Sequence, residues 1–61
     1  MSNKILSMTE QRAERDNAIR EEWMNEKGKG MPDSVLITQI AARHGVAHQT
    51  AYNAIKQAGL I

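Results

Sequence analysis

The sequence predicts an all-α chain, a three-helix bundle in which the last two helices meet at a glycine corner. Three observations predict it. Residues 9–27 contain no helix breaker and are rich in strong helix formers. Two glycines and a proline follow within residues 28–32 and indicate a loop. Within residues 37–59, two apolar patterns at helical spacing are separated by Gly45.

The chain length and the composition indicate one small domain. A chain of 61 residues buries only about 60% of the surface that its unfolded form exposes. A core that small rarely supplies more than about 3–5 kcal/mol without a metal, disulfides or a partner chain. Absence of cysteine excludes disulfides and cysteine-based zinc sites. The apolar runs are too short to cross a bilayer, and the first residues lack a signal-peptide core, so we expect no membrane partner and a cytoplasmic location.

The first helix is predicted over residues 9–27. Thr9 is its expected N-cap, and residues 1–8 are expected to form a flexible arm, because chain ends fray unless something holds them. Within the helix, Asp16 and Arg20 have the i,i+4 spacing of a favourable ion pair.

The apolar face of this helix lies in its second half, at Ile19, Trp23 and Met24. We therefore expect the last turns to pack on the other two helices and the first turns to project outward. Trp23 is the only tryptophan in a chain without phenylalanine, which predicts that it is the centre of the core. Glu22 and Glu26 form a like-charge i,i+4 pair, which is mildly unfavourable.

The loop that follows does not have the pattern of a phosphate-binding loop. It lacks the spaced second glycine and the lysine followed by serine or threonine that such loops need. Lys27 and Lys29 are therefore expected to be solvated.

The second helix is predicted over residues 35–44, with two alternatives for its start. Either Asp33 or Ser34 caps a helix that runs to residue 44, or residues 35–37 are extended and a shorter helix begins near Thr38. In both cases Leu36 or Ile37 should pack against Trp23.

The third helix is predicted over residues 47–58. A tight turn precedes this helix, and Gly45 supplies the positive φ that the turn needs. Val46 is expected to fill the angle between the second and the third helix. Gly59 should end the helix, with Leu60 folding back on Ile55, and no β-wing is expected after it. The predicted apolar stripe of this helix consists of Ala47, Ala51, Ala54, Ile55 and Ala58.

The opposite side of the third helix is polar. It carries no acidic residue, and its members hydrogen-bond to base edges and phosphates in other proteins: His48, Gln49, Tyr52, Asn53 and Lys56. The net charge of +1 counts against a purely electrostatic nucleic-acid binder. The polar face without acidic residues nevertheless favours a helix-turn-helix that presents a recognition helix to a DNA major groove.

Residues 37–58 are similar to the helix-turn-helix of phage Cro-type repressors and of the DNA-binding domain of resolvase/invertase recombinases. The residues that carry the resemblance are Ala41, Gly45, Val46, the Ala54-Ile55 pair, and Thr50 with Tyr52.

This resemblance implies a small transcriptional regulator of phage or mobile-element type that binds double-stranded DNA. The implied base contacts come from Ala47, His48, Gln49, Tyr52 and Asn53, and the implied phosphate contacts from Thr38, Thr50 and Lys56. The chemistry of the residues agrees, because the amides of Gln49 and Asn53 can bind adenine bidentately. A single recognition helix makes few contacts, so we expect a homodimer on an inverted repeat, with half-sites about one DNA turn apart.

The sequence gives little support to a metal site or an enzyme. His44 and His48 lie on opposite sides of the Gly45 turn, so they share no helical face for a metal ion. No nucleophile–base pair is evident, so we expect no enzyme, no cofactor and no small-molecule substrate. The alternative to DNA binding is a protein-interaction module, which would use Trp23, Met24 and the N-terminal arm. Among DNA-binding roles, recombination directionality or architectural bending stays open.

Overall fold

The computed structural model describes residues 7–61, and within them the chain is all-helical, as predicted. Its elements are α1 (Met8–Glu26), α2 (Asp33–Arg43) and α3 (His48–Gln57). Every helix contacts the other two, and residues 7–61 contain no strand. The packing is compatible with the predicted three-helix bundle. The predicted arm lies outside the described residues except for Ser7 and Met8.

Helix α1 begins one residue earlier than predicted because Ser7, and not Thr9, is the N-cap. The Oγ of Ser7 accepts a hydrogen bond of 3.2 Å from the backbone N–H of Glu10. Serine at the N-cap with glutamate three residues later is the spacing of a capping box. The helix ends at Glu26, one residue before the predicted end, because the backbone of Lys27 is extended.

The core lies between the second half of α1 and the facing sides of α2 and α3. Trp23 is 2% exposed, which confirms it as a core residue, and both Leu36 and Ile37 belong to the same cluster. By contrast, residues 8–14 of α1 are all exposed, so the first turns project outward as predicted. The buried core residues are Ile19, Trp23, Leu36, Ile37, Ile40, Ala41, Ala51, Ala54 and Ile55.

Helix α2 takes the longer of the two predicted alternatives, but neither predicted cap forms it. Pro32 is the N-cap and makes no side-chain capping bond, so Asp33 is already inside the helix. Proline has a fixed φ that suits the entry to a helix, and residues 35–37 are helical rather than extended. The helix ends at Arg43 instead of the predicted residue 44, because His44 has ψ near 2° and leaves the helical region.

The C-terminal ends of α2 and α3 have the same hydrogen-bond pattern, in which a glycine with positive φ follows the helix. Gly45 has φ 65° and its N–H donates to the carbonyl of Ala42 at 3.2 Å, while Val46 donates to Ala41 at 3.0 Å. Gly59 and Leu60 repeat this arrangement at the end of α3. These paired bonds form the Schellman motif, and they confirm the predicted glycine turns. Val46 and Leu60 pack on the core.

The corner at Gly45 gives a test of the turn. A Cβ added there would meet nothing within 4 Å, so Gly45→Ala changes only the backbone energy. The left-handed conformation costs a residue with a Cβ about 1–2 kcal/mol. We therefore expect Gly45→Ala to lower the melting temperature by about 4–8 °C or somewhat more. Gly45→Asn should lose less, since asparagine tolerates positive φ. Equal stability of the alanine variant and wild type would contradict this turn.

The structure contradicts one prediction about α3 and one about α1. Ala47 and Ala58 are exposed, so the predicted apolar stripe is wrong at both ends, because these residues are the caps that flank the helix. The predicted Asp16–Arg20 ion pair is also wrong. Arg20 instead turns to α3, where its Nε donates to the carbonyl of Ala54 at 2.7 Å. A charge-assisted bond in this half-buried contact is stronger than an exposed i,i+4 pair.

No helix within residues 7–61 combines the length and the apolar character that a bilayer crossing demands.

Candidate nucleic-acid interface

The candidate interface is the outward side of α3, which the packing of the helix leaves uncovered. Ala51, Ala54 and Ile55 are buried against the core, and the side chains at the opposite helical positions point away from it. Those opposite side chains are exposed and polar: His48, Gln49, Asn53 and Lys56. The three-residue and four-residue intervals between the buried positions produce this separation into two faces.

Gln49 and Asn53 form one hydrogen-bonded unit on this face. The Nε2 of Gln49 donates to the Oδ1 of Asn53 at 2.8 Å, as residues one turn apart can. The bond leaves the Oε1 of Gln49 as an acceptor and one of its N–H groups as a donor. It also uses the oxygen of Asn53, so Asn53 offers mainly its two N–H donors. The structure therefore brings the two predicted adenine-binding amides together as a pair.

Thr38 lies against His48, and its hydroxyl is engaged on both sides. Its Oγ1 donates to the carbonyl of Ser34 at 2.9 Å and lies 2.9 Å from the Nδ1 of His48. The predicted role of Thr38 was a phosphate contact. In the free protein the hydroxyl connects α2 to the first residue of α3, and the phosphate contact stays a prediction.

Tyr52 and Lys56 form the third pair among the predicted residues. The Nζ of Lys56 lies 5.8 Å from the centroid of the Tyr52 ring, which is within the range of a cation–π contact. Tyr52 is half-buried and packs against the core, so only part of its ring faces outward. Lys56 remains exposed, and its charge is available on the outward face.

The remaining predicted residues, Ala47 and Thr50, lie at the start of α3. Ala47 is the exposed N-cap and has no side chain that can cap the helix, while Thr50 is half-buried in the first turn. The first turn of α3 also contains no acidic residue. The positive end of the helix dipole therefore lies open beside His48 and Gln49.

Sequence reasoning missed a charged cluster that joins the end of α1 to the end of α2. Arg43 binds Glu26 at 2.7 Å and Glu22 at 3.2 Å, and the Nε2 of His44 hydrogen-bonds to the other oxygen of Glu22. The partners are 17 to 22 residues apart, so only the fold reveals them. Arg43 offsets the repulsion expected between the two glutamates, and it is not a free cation for a nucleic acid.

The hydrogen bond from His44 and the neighbouring Arg43 hold the pKa of Glu22 below its ordinary value of 4.5. A carboxyl with a lowered pKa in the folded state stabilises the fold above its unfolded pKa. That stability is lost as the pH falls through the folded pKa. We therefore expect thermal stability to fall on acidification from about pH 6 to about pH 3, and to fall less in Glu22→Gln.

The matched control for this titration is Glu21→Gln, which changes an exposed glutamate beside it on α1. Its pH dependence should follow that of the wild type. Identical pH profiles for Glu22→Gln and Glu21→Gln would contradict a stabilising role of the cluster.

The two histidines have separate partners, since His44 binds Glu22 and His48 binds Thr38. They therefore do not converge on a common site. Trp23, the anchor of the alternative interaction surface, is buried, whereas Met24 beside it is half exposed.

No protein-family model, curated protein or solved structure matches this chain.

Proposed function

We propose that this protein binds double-stranded DNA sequence-specifically as a small transcriptional regulator, with α2 and α3 acting as a wingless helix-turn-helix. The observation that carries the proposal is the outward face of α3. It presents His48, Gln49, Asn53 and Lys56 to solvent. The opposite side of the helix packs on the core through buried alanine and isoleucine side chains. An α-helix with such a face has the size and chemistry to enter a major groove.

The hydrogen-bonding groups on this face suit base edges better than they suit bulk phosphate binding. The acceptor and donor of Gln49 match the N6 amino group and N7 of adenine. Lys56, and the open N-terminal end of α3, suit phosphate oxygens. Lys56 is the one lysine or arginine among the four exposed polar residues of the face, and Arg43 is paired with two glutamates. We therefore expect a shallow salt dependence, with log K falling by about 0.9 per tenfold rise in salt for each phosphate contacted.

The proposed active form is a homodimer on an inverted repeat. One helix of 10 residues reaches only a few base pairs, and two copies related by a twofold axis double the contacts. We expect two half-sites with centres about 10–10.5 base pairs apart, or a multiple of that spacing.

The experiment that tests the proposed function is selection of binding sites from a pool of random duplexes. We expect the wild type to enrich an inverted repeat whose half-sites contain adenine. Retention of the enriched duplex should weaken as salt rises. Failure to enrich any sequence at low salt would contradict the proposal. A protein-interaction module would show no retention on DNA at any salt concentration.

The start of α3 provides a variant in which stability and DNA binding should change in opposite directions. Aspartate is a strong N-cap, so Ala47→Asp should stabilise the fold by about 1 kcal/mol. The new carboxylate would face the proposed DNA surface, and binding of the selected duplex should weaken at least tenfold. Ala47→Ser, the matched control, adds a cap without charge, so its affinity should fall far less than that of Ala47→Asp. Thermal unfolding and a fluorescence binding titration measure the two effects, and equal affinity of the two variants would contradict this placement.

A further inference from the structure

The Thr38 hydroxyl lies within hydrogen-bond distance of two groups, the carbonyl oxygen of Ser34 and the Nδ1 of His48. A hydroxyl has one hydrogen, and that of Thr38 points to the carbonyl oxygen of Ser34, 2.9 Å away. The 2.9 Å contact between Oγ1 and the Nδ1 of His48 therefore needs its hydrogen from the imidazole. An uncharged ring that supplies this hydrogen carries it on Nδ1.

The same tautomer leaves the other ring nitrogen as a hydrogen-bond acceptor. When Nδ1 of an uncharged imidazole carries the hydrogen, Nε2 has a lone pair and no hydrogen. His48 is exposed at the first position of α3, and its Nε2 has no hydrogen-bond partner among residues 7–61. Without Thr38, the ring would be free to present either a donor or an acceptor at this position.

We infer that Thr38 is a positioning residue that makes His48 a hydrogen-bond acceptor toward DNA, so that His48 selects a base with an exocyclic amino group. The inference rests on the proposed function. In the major groove adenine presents its N6 amino group and cytosine its N4 amino group, while guanine and thymine present carbonyl acceptors at those positions. An acceptor on the protein pairs with the first two bases and repels the other two. His48 therefore reads adenine or cytosine.

The first arm of the test uses the free protein, so it does not depend on DNA binding. Nitrogen NMR shifts of the His48 ring report its charge and its tautomer. At a pH where those shifts show an uncharged ring, we expect hydrogen on Nδ1 in the wild type. Thr38→Val, which has nearly the same shape but no hydroxyl, should lose this preference. Thr38→Ser keeps the hydroxyl and should retain it. Hydrogen on Nε2 in the wild type would overturn the inference.

The second arm repeats the binding-site selection at the same pH. We expect one half-site position where adenine or cytosine is preferred over guanine and thymine by about tenfold. That preference should disappear in both His48→Ala and Thr38→Val, with preferences elsewhere unchanged. Thr38→Val should melt within a few degrees of the wild type, which shows that loss of preference is not loss of fold.

The two arms separate this inference from the proposed function. Enrichment of a DNA site by a protein whose His48 carries hydrogen on Nε2 overturns the inference alone. A guanine or thymine preference at the His48 position does the same. The expected tautomer together with no enriched duplex overturns the inference and the proposed function together.

Discussion

We expect most molecules of the Ile40→Ala variant to be unfolded. Ile40 is 0% exposed and lies in the core cluster with Trp23. Replacing a buried isoleucine by alanine costs about 2–5 kcal/mol, through lost burial and the cavity left behind. A core of this size rarely supplies more than about 3–5 kcal/mol. The loss therefore takes most or all of the stability that the fold has.

The measurement is far-UV circular dichroism with thermal unfolding, and two further variants in α2 give its scale. Ile40→Val should retain the fold with a loss of about 0.5–1.5 kcal/mol. Val35→Ala removes apolar atoms from a side chain that is 44% exposed and should change stability by less than about 0.5 kcal/mol. A cooperative transition of Ile40→Ala at the wild-type temperature would show that this core does not hold the helices together.

The second large effect is expected at the Gln49–Asn53 pair. Because the two amides are bonded to each other at 2.8 Å, removal of either side chain disturbs both. We expect Gln49→Ala and Asn53→Ala each to lose about 1–3 kcal/mol of discrimination at the adenine of the selected half-site. The double variant should lose little more than either single variant, which gives a coupling energy nearly as large as one single loss, about 1–3 kcal/mol.

Binding titrations with the selected duplex and with a duplex changed at that adenine measure this discrimination. Asn25→Ala, which removes an exposed amide from α1, is the control and should bind both duplexes like the wild type. Fully additive losses from the two single variants would show that the amides act separately.

The parts of the fold that could be predicted from sequence are those with strong local signals. Trp23 is the one large aromatic residue on an apolar edge, and Gly45 and Gly59 each follow an apolar helical pattern. Helix ends were less predictable because neighbouring residues compete for each role. Ser7 and Thr9 can both cap α1, and the Ser-x-x-Glu spacing of Ser7 and Glu10 was the signal that distinguishes them.

Most members of the candidate face could be predicted, although Tyr52 is half-buried, but its internal contacts could not. Helical spacing alone separates His48, Gln49 and Asn53 from the buried side of α3. The bond between Thr38 and His48 crosses the turn between two helices, and the angle of that crossing depends on how the core packs. Arg20 shows the same limit, since its bond to the carbonyl of Ala54 spans 34 residues.

The central claim is that the outward face of α3 contacts duplex DNA, and an NMR titration tests it most directly. The selected duplex is added to isotope-labelled protein while the side-chain amide signals of Gln49 and Asn53 are followed. We expect these signals and the backbone signal of His48 to shift most. Unchanged Gln49 and Asn53 signals, with the shifts concentrated around Met24 and Val35, would contradict the claim.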